Sequence, residues 1–136
     1  MIEYGTELAG LRPDDLDGFF VGWPSPPAPA ARLALLRGSD HVVLARDAGR
    51  VVGFVTALTD GVLMAYLPLL EVLPAYQHAG VGTGLVNRVL DELGDLYGVD
   101  VCCDDDVVPY YRRFGFQQVN GMVLRPHLKP GRNPVG

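Results

Sequence analysis

The sequence predicts an α/β domain of the α+β type, with a mixed, mostly antiparallel central sheet flanked by helices. Two β-branched, apolar runs, His41 to Arg46 and Val51 to Thr59, are separated only by Asp47-Ala48-Gly49-Arg50, which reads as a hairpin turn. A third apolar run, Val62 to Leu73, follows Asp60-Gly61 and completes an antiparallel meander. It is apolar on both faces, so both should be covered. Gly80 to Tyr97 supplies a helix to cover one of them: Val81, Leu85, Val89 and Leu93 recur four apart on one stripe, while Arg88, Asp91, Glu92 and Asp95 fall mostly elsewhere. Val99 to Cys103 is then a short buried strand, and strand, helix and strand can form a right-handed parallel crossover.

The remaining elements follow from their punctuation. Arg12-Pro13-Asp14-Asp15-Leu16-Asp17 has proline and carboxylates where a first helical turn accepts them, predicting a helix that ends near Gly22. Trp23 to Pro29 carries four prolines and can be neither regular helix nor central strand. Ala30 to Arg37, with Leu33, Leu35 and Leu36, suits a second helix closed by Gly38. Gly98 ends the amphipathic helix, Asp104 to Phe114 reads as a fourth helix ended by Gly115, and Phe116 to Val119 with Met122 to Arg125 reads as a closing hairpin. The tail from Pro126 is polar and proline-rich. With 136 residues, one core and no dividing linker, a single domain over residues 1–136 is expected.

Charge and composition narrow the function. A net charge of −5 without a basic cluster lacks the electrostatic footprint of a nucleic-acid binder, so a small molecule is the expected partner. The longest apolar stretch contains Pro68 and Glu71 and is too short for a membrane span, and the start lacks a signal-peptide pattern, so a cytoplasmic protein is expected. Cys102 and Cys103 are adjacent, badly placed to bond each other, and have no second pair with which to bind zinc. They read as buried strand residues, and no metal is expected.

The chemistry concentrates after Pro74, where residues 77–84 read Gln-His-Ala-Gly-Val-Gly-Thr-Gly and open a helix. The first amides of a helix lack an intrahelical acceptor, and glycine lets an anion approach them closely, so the run suits a pyrophosphate. The dinucleotide fingerprint is broken, because Leu85 stands three residues after Gly82, although Asp104 lies where a ribose-binding acid would sit. A nucleoside-triphosphate loop needs lysine and serine or threonine where Leu85-Val86 follow Gly84.

Val72-Leu73-Pro74-Ala75-Tyr76-Gln77-His78-Ala79-Gly80-Val81-Gly82 resembles the cofactor motif of the GNAT superfamily of acyl-CoA N-acyltransferases, which runs valine, any residue, proline, then Gln or Arg-x-x-Gly-x-Gly or Ala. Tyr111-Arg112-Arg113-Phe114-Gly115-Phe116 is similar to a second block of that family, and the order of elements is the family's too. The resemblance implies that the amides of Gln77, His78, Ala79, Gly80, Val81, Gly82 and Thr83 hold the pyrophosphate of acetyl-CoA. It also implies that the strand at Leu70 to Val72 pairs with the pantetheine arm, with the Val72 amide polarising the thioester carbonyl, and that Tyr111 stands beside the sulfur as general acid. Tyr110 is the competitor for that role; adjacent helix positions face about 100° apart, so only one can point at the sulfur.

An amine is almost wholly protonated at neutral pH, and freeing it costs about 4.6 kcal/mol. Glu71, the one acid in the stretch Val62 to Leu73, is the candidate base, since burial would raise its pKa. Two alternatives are a water in that role and a purely structural Glu71 paired with an arginine such as Arg46 or Arg50. Where many relatives carry asparagine, this chain has Asp104, which cannot donate; Asp104-Asp105-Asp106 read instead as a helix cap. His41, His78 and His127 have no paired ligand or nucleophile at useful spacing, and Phe19, Phe20 and Trp23 serve either a core or the family's acceptor pocket. The function implied is transfer of an acetyl or short acyl group to a small-molecule or peptide amine by direct attack in a ternary complex, with a homodimer possible by family habit. A catalytically silent acyl-CoA-binding module is the alternative, and a dinucleotide-binding protein the weaker one.

Overall fold

A computed structural model describes residues 1–126, so the predicted character of the tail, and His127, lie outside the described residues. The chain divides into two compact units, residues 1–101 and residues 102–136. The first contains a six-stranded sheet: β1 (Ile2–Gly5), β2 (His41–Asp47), β3 (Arg50–Thr59), β4 (Met64–Leu67), β5 (Leu70–Val72) and β6 (Gly98–Val101). The path runs β1-β2-β3-β4-β6, with β5 beside β3; every pair is antiparallel except β4 with β6, which is parallel. The mixed, mostly antiparallel sheet is therefore the expected one, and the parallel pair is joined through helix α2 (Val81–Leu93).

Residue alternation assigns the two faces. A Cβ on Gly53 would lie 3.1 Å from Leu85 and 3.3 Å from Val81, so that face of β3 packs against α2. The stripe Val81, Leu85, Val89 and Leu93 is buried throughout. Phe54, on the other face, packs edge-on against Phe19 with ring centroids 5.1 Å apart, beside a single 3-10 turn at Pro13–Leu16. Helix α1 (Pro29–Gly38) packs against that turn and buries Leu33 and Leu36.

Several expectations are corrected. The first predicted helix reaches only Leu16, because Gly18, Phe20 and Gly22 all take left-handed φ angles (89°, 63° and 80°) that no right-handed helix accommodates. β1 was not expected; four residues on a sheet edge leave no periodic signal. The run Val62 to Leu73 is two strands, since Pro68 between them has no N–H for a ladder, and Val62 and Leu63 ahead of them are exposed rather than covered. Helix α2 stops at Leu93, where Gly94 turns to a φ of 68°, four residues before the glycine predicted to end it.

In the second unit, a 3-10 turn at Asp105–Val107 leads into a short helix α3 (Val108–Arg112) closed by Gly115 at φ 97°. Cys102 and Cys103 are exposed, not buried strand residues, because β6 ends at Val101. The closing hairpin is absent among the described residues: residues 117–126 form no strand and are exposed, Met122 and Leu124 almost completely, so no apolar face there is buried.

Candidate active site

The end of β4 creates an opening in the sheet. Leu58 pairs with Tyr66 and Val55 with Leu70, so three steps along β3 correspond to four along the other chain segment, a bulge that contains Pro68. β6 stops opposite Leu67 and offers nothing to β5. On β5, Thr56 N–H donates to Leu69 O at 3.0 Å and Leu73 N–H donates to Val52 O at 2.9 Å, so residues 69, 71 and 73 face β3. The amides and carbonyls of Leu70 and Val72 therefore point to the opposite edge, which has no strand partner in the first unit. The Val72 carbonyl accepts from Gln77 Nε2 at 3.1 Å.

Immediately after β5, a 3-10 turn at Pro74–Tyr76 is tied down by Tyr76, whose hydroxyl donates to Asp47 Oδ2 at 2.6 Å. That bond, with the N-terminal ammonium, lowers the Asp47 carboxyl below its usual range. The chain then takes left-handed conformations at His78 (φ 66°) and Gly80 (φ 84°), and residues 77–80 are exposed. Gly80 is the N-cap of α2 and has no side-chain cap; Gly84 N–H donates to Gly80 O at 3.0 Å, and the amides of Val81 and Gly82 lie in the first turn, where a helix offers no acceptor. A positive helix end whose first amides lie beside Gly80 and Gly82, which carry no Cβ, fits a diphosphate. Of the residues the sequence singles out, Gln77 to Gly80 form this turn and Val81 to Thr83 begin α2 directly after it.

Glu71 points to the face away from α2, opposite Phe54 in the ladder. It is half-buried, and its Oε1 accepts the Phe20 amide at 2.8 Å. Burial raises its pKa above the ordinary 4.5, against the opposing effects of the Phe20 N–H and the Arg32 guanidinium. The structural pairing with Arg46 or Arg50 is not formed: Arg46 reaches Glu7 O at 3.4 Å, and the cation acting on Glu71 is Arg32. Arg32 also donates to Pro27 O (2.9 Å) and Leu16 O (3.2 Å) and lies 5.1 Å from the Phe20 ring centre. Phe19 and Phe20 are core residues, whereas Trp23, edge-on to Phe20 at 5.1 Å, is 44% exposed. Sequence reasoning missed the Phe20 amide and Arg32; the flanking Gly18 and Gly22 were the available signal of a tight turn.

In the second unit Tyr111 is buried, packed edge-on against Tyr110 at 5.3 Å and Phe116 at 5.6 Å. Its phenol is pushed up to about 12, first by burial and then by Tyr110 and Cys103, so it holds its proton at neutral pH, as a general acid must. Tyr110 is more exposed and stacks with the Arg113 guanidinium at 4.9 Å. Asp104 occupies the N-cap position of its turn, but its side chain makes no cap bond, contrary to the capping expectation. His41 has its Nδ1 3.0 Å from Glu92 Oε1. Among the described residues, no three of His, Cys, Asp and Glu converge on a metal-sized site, and no helix is long and apolar enough to cross a membrane. A groove lined by Leu11, Arg12, Ala30, Leu33 and Arg37 shares no residue with the cradle, with β5 or with the surroundings of Glu71.

Known proteins carry the same architecture. A crystal structure of a candidate acetyltransferase from Deinococcus radiodurans R1 superposes with a TM-score of 0.88 at 51% identity, covering 92% of this chain and 88% of that one. A GNAT family acetyltransferase from Streptococcus pneumoniae TIGR4 gives 0.78 at 26% identity, covering 94% of this chain and 100% of that one. Among curated sequences, GCN5-related N-acetyltransferase 3, chloroplastic, of Arabidopsis thaliana is 36% identical over 77 residues, 55% of this chain and 32% of the relative. The chain spans between 32% and 66% of the length of the curated relatives it matches. The profile of the acetyltransferase (GNAT) family matches residues 8–116, most of the chain and all of the cradle. The chain belongs to the acetyltransferase (GNAT) family.

Proposed function

We propose that residues 1–136 act as one catalytic domain that transfers an acetyl or short acyl group from acetyl-CoA to an amine by direct attack in a ternary complex. The observation that carries this reading is the unpaired edge of β5 running into the exposed left-handed turn at the start of α2. The amides from Gln77 to Thr83 hold the pyrophosphate, and the outward backbone groups of Leu70 with the N–H of Val72 meet the amide-containing pantetheine arm, the Val72 carbonyl being taken by Gln77 Nε2. The Val72 N–H stabilises the negative charge that develops on the thioester oxygen as the amine adds.

Glu71 takes a proton from the acceptor ammonium, directly or through a water. Its raised pKa brings its basicity nearer the working pH, which favours proton transfer. Tyr111 gives its proton to the departing thiolate, and the GNAT resemblance together with the protonated state of its phenol supports that role. The acyl donor supplies the activated carbonyl; the protein supplies orientation and proton movement. The acceptor is a small-molecule or peptide amine.

Thiol release from acetyl-CoA, followed across a panel of small amines, peptide N-termini and lysine peptides, tests the proposal. Amine-dependent release with an N-acetyl product is the expected result. Tight CoA binding without turnover on any acceptor would identify the chain instead as a silent acyl-CoA-binding module.

A further inference from the structure

Phe20 combines three properties that rarely coincide. Its φ is 63°, in the left-handed region that a bulky side chain almost never adopts. The residue is only 3% exposed, its ring edge-on to Trp23 at 5.1 Å and tilted against Phe54 at 6.1 Å, with the Arg32 guanidinium over it at 5.1 Å. Its amide N–H is the one donor among the described residues that bonds the Glu71 carboxylate, at 2.8 Å. The neighbouring left-handed positions, 18 and 22, are glycines, for which such a φ carries no Cβ penalty. A phenylalanine between them is under strain, and backbone strain of this kind persists only where the surroundings impose it.

The surroundings are visible. Phe54 stands directly opposite Glu71 in the ladder, so the residue that receives the Phe20 ring also flanks the carboxylate. Arg32 fixes both ends of the loop through Leu16 O and Pro27 O. Ring burial thus holds the amide in the one orientation that meets Oε1. Oε2 accepts no hydrogen bond from the described residues and is the atom left to take a proton. The charged group acting on Glu71 is Arg32 of α1; Phe54 on β3 and Phe19 and Phe20 in the loop are uncharged.

We propose that Phe20 is the positioning residue for Glu71: its buried ring forces its own backbone N–H onto Oε1, which orients the carboxylate, favours its ionised form and presents Oε2 to the acceptor amine. The catalytic consequence rests on the reading of Glu71 as the base; the hydrogen bond itself does not.

The decisive experiment replaces Phe20 with its α-hydroxy analogue, phenyllactate, converting the Phe19–Phe20 amide to an ester. This deletes the N–H while keeping the ring. Phe20→Val, which disfavours a left-handed backbone, is run in parallel, and Phe20→Tyr, which keeps ring and amide, is the conservative rescue. Carbon-detected NMR titration of the Glu71 carboxyl should move to higher pH in the ester protein and in Phe20→Val, but not in Phe20→Tyr. On the acid limb, kcat/KM should fall about tenfold, the lower end of what a charge-assisted hydrogen bond contributes. KM for acetyl-CoA should hold, and the same ester in a Glu71→Gln background should have no further effect. A Glu71 titration unmoved by the ester would overturn the proposal. A titration that moves while the rate profile does not would retain the positioning of the carboxylate and reject Glu71 as the base.

Discussion

Gly84→Ala should destabilise the protein although alanine is the better helix former. Gly84 lies in the first turns of α2, where replacing glycine with alanine ordinarily contributes about 1 kcal/mol. Here the added Cβ would lie 2.2 Å from the Tyr4 hydroxyl oxygen and 2.5 Å from Cζ, far inside contact distance. The ring has little freedom to retreat: Tyr4 is paired with Ala45 in the β1–β2 ladder, and the Arg88 guanidinium covers its ring at 3.8 Å while donating to Gly84 O at 3.1 Å. Overpacking of this kind costs about 2–3 kcal/mol, leaving a net loss of about 1–2 kcal/mol. In a thermal melt that is a fall in Tm of roughly 3–8 °C for a chain of this size. A double-mutant cycle isolates the cause. In a Tyr4→Ala background the same glycine replacement should become stabilising by up to ~1 kcal/mol, giving a coupling of about 2–3 kcal/mol. Full stabilisation by Gly84→Ala alone would refute the steric argument.

Four further outcomes are expected. Glu71→Gln should remove the acid limb of kcat/KM. Because the native pKa of Glu71 is raised above 4.5, the folded state binds more protons in the window above that value, so wild-type stability falls as pH rises through it. The glutamine variant should lack that fall, which paired denaturation curves at several pH values will show. Tyr111→Phe should lower turnover about 100-fold at neutral pH, and Tyr110→Phe should not; ultraviolet titration should lose its highest-pH phenol step in Tyr111→Phe, consistent with a phenol pushed up to about 12, while Tyr76, raised by its bond to Asp47, still titrates late. Gly80→Ala, which forces an alanine to φ 84°, should cost about 1–2 kcal/mol and weaken CoA binding in calorimetry. Thr56 Oγ1 is fully buried with no hydrogen-bond partner among the described residues, so Thr56→Val should raise stability by about 1 kcal/mol in urea titration, whereas a loss would mean that the hydroxyl is satisfied.

Much of the fold was legible because its signals are local. The spacing of Val81, Leu85, Val89 and Leu93 identifies α2 and its buried face, since the helical period requires no partner to be read. Asp47 to Arg50 marks the β2–β3 hairpin in the same way. The errors fall where a neighbour decides. Pro68 was visible, but its division of one strand into β4 and β5 emerges only when both strands pair with β3 in registers one residue apart. Asp14 and Asp15 correctly mark a helical start, but the left-handed backbone at Gly18, Phe20 and Gly22 limits it to one turn. Cys102 and Cys103 were read as buried because the end of β6 is set by its partner β4, which stops at Leu67.

By itself, the sequence determined the family and the position of the glycine turn that opens α2, since the spacing of glycines from Gln77 to Gly82 sets the backbone there within a few residues. The tertiary structure decided how Glu71 is held. Its partners, the Phe20 amide and the Arg32 guanidinium, are 51 and 39 residues away in the chain, and only folding brings them to one carboxylate. Left-handed strain at Phe20 is likewise a cost that no local preference would select; it is met by the burial of a ring against Phe54 and Trp23. A carboxylate's identity is a property of sequence, but its ionisation and aim depend on the groups that replace water around it.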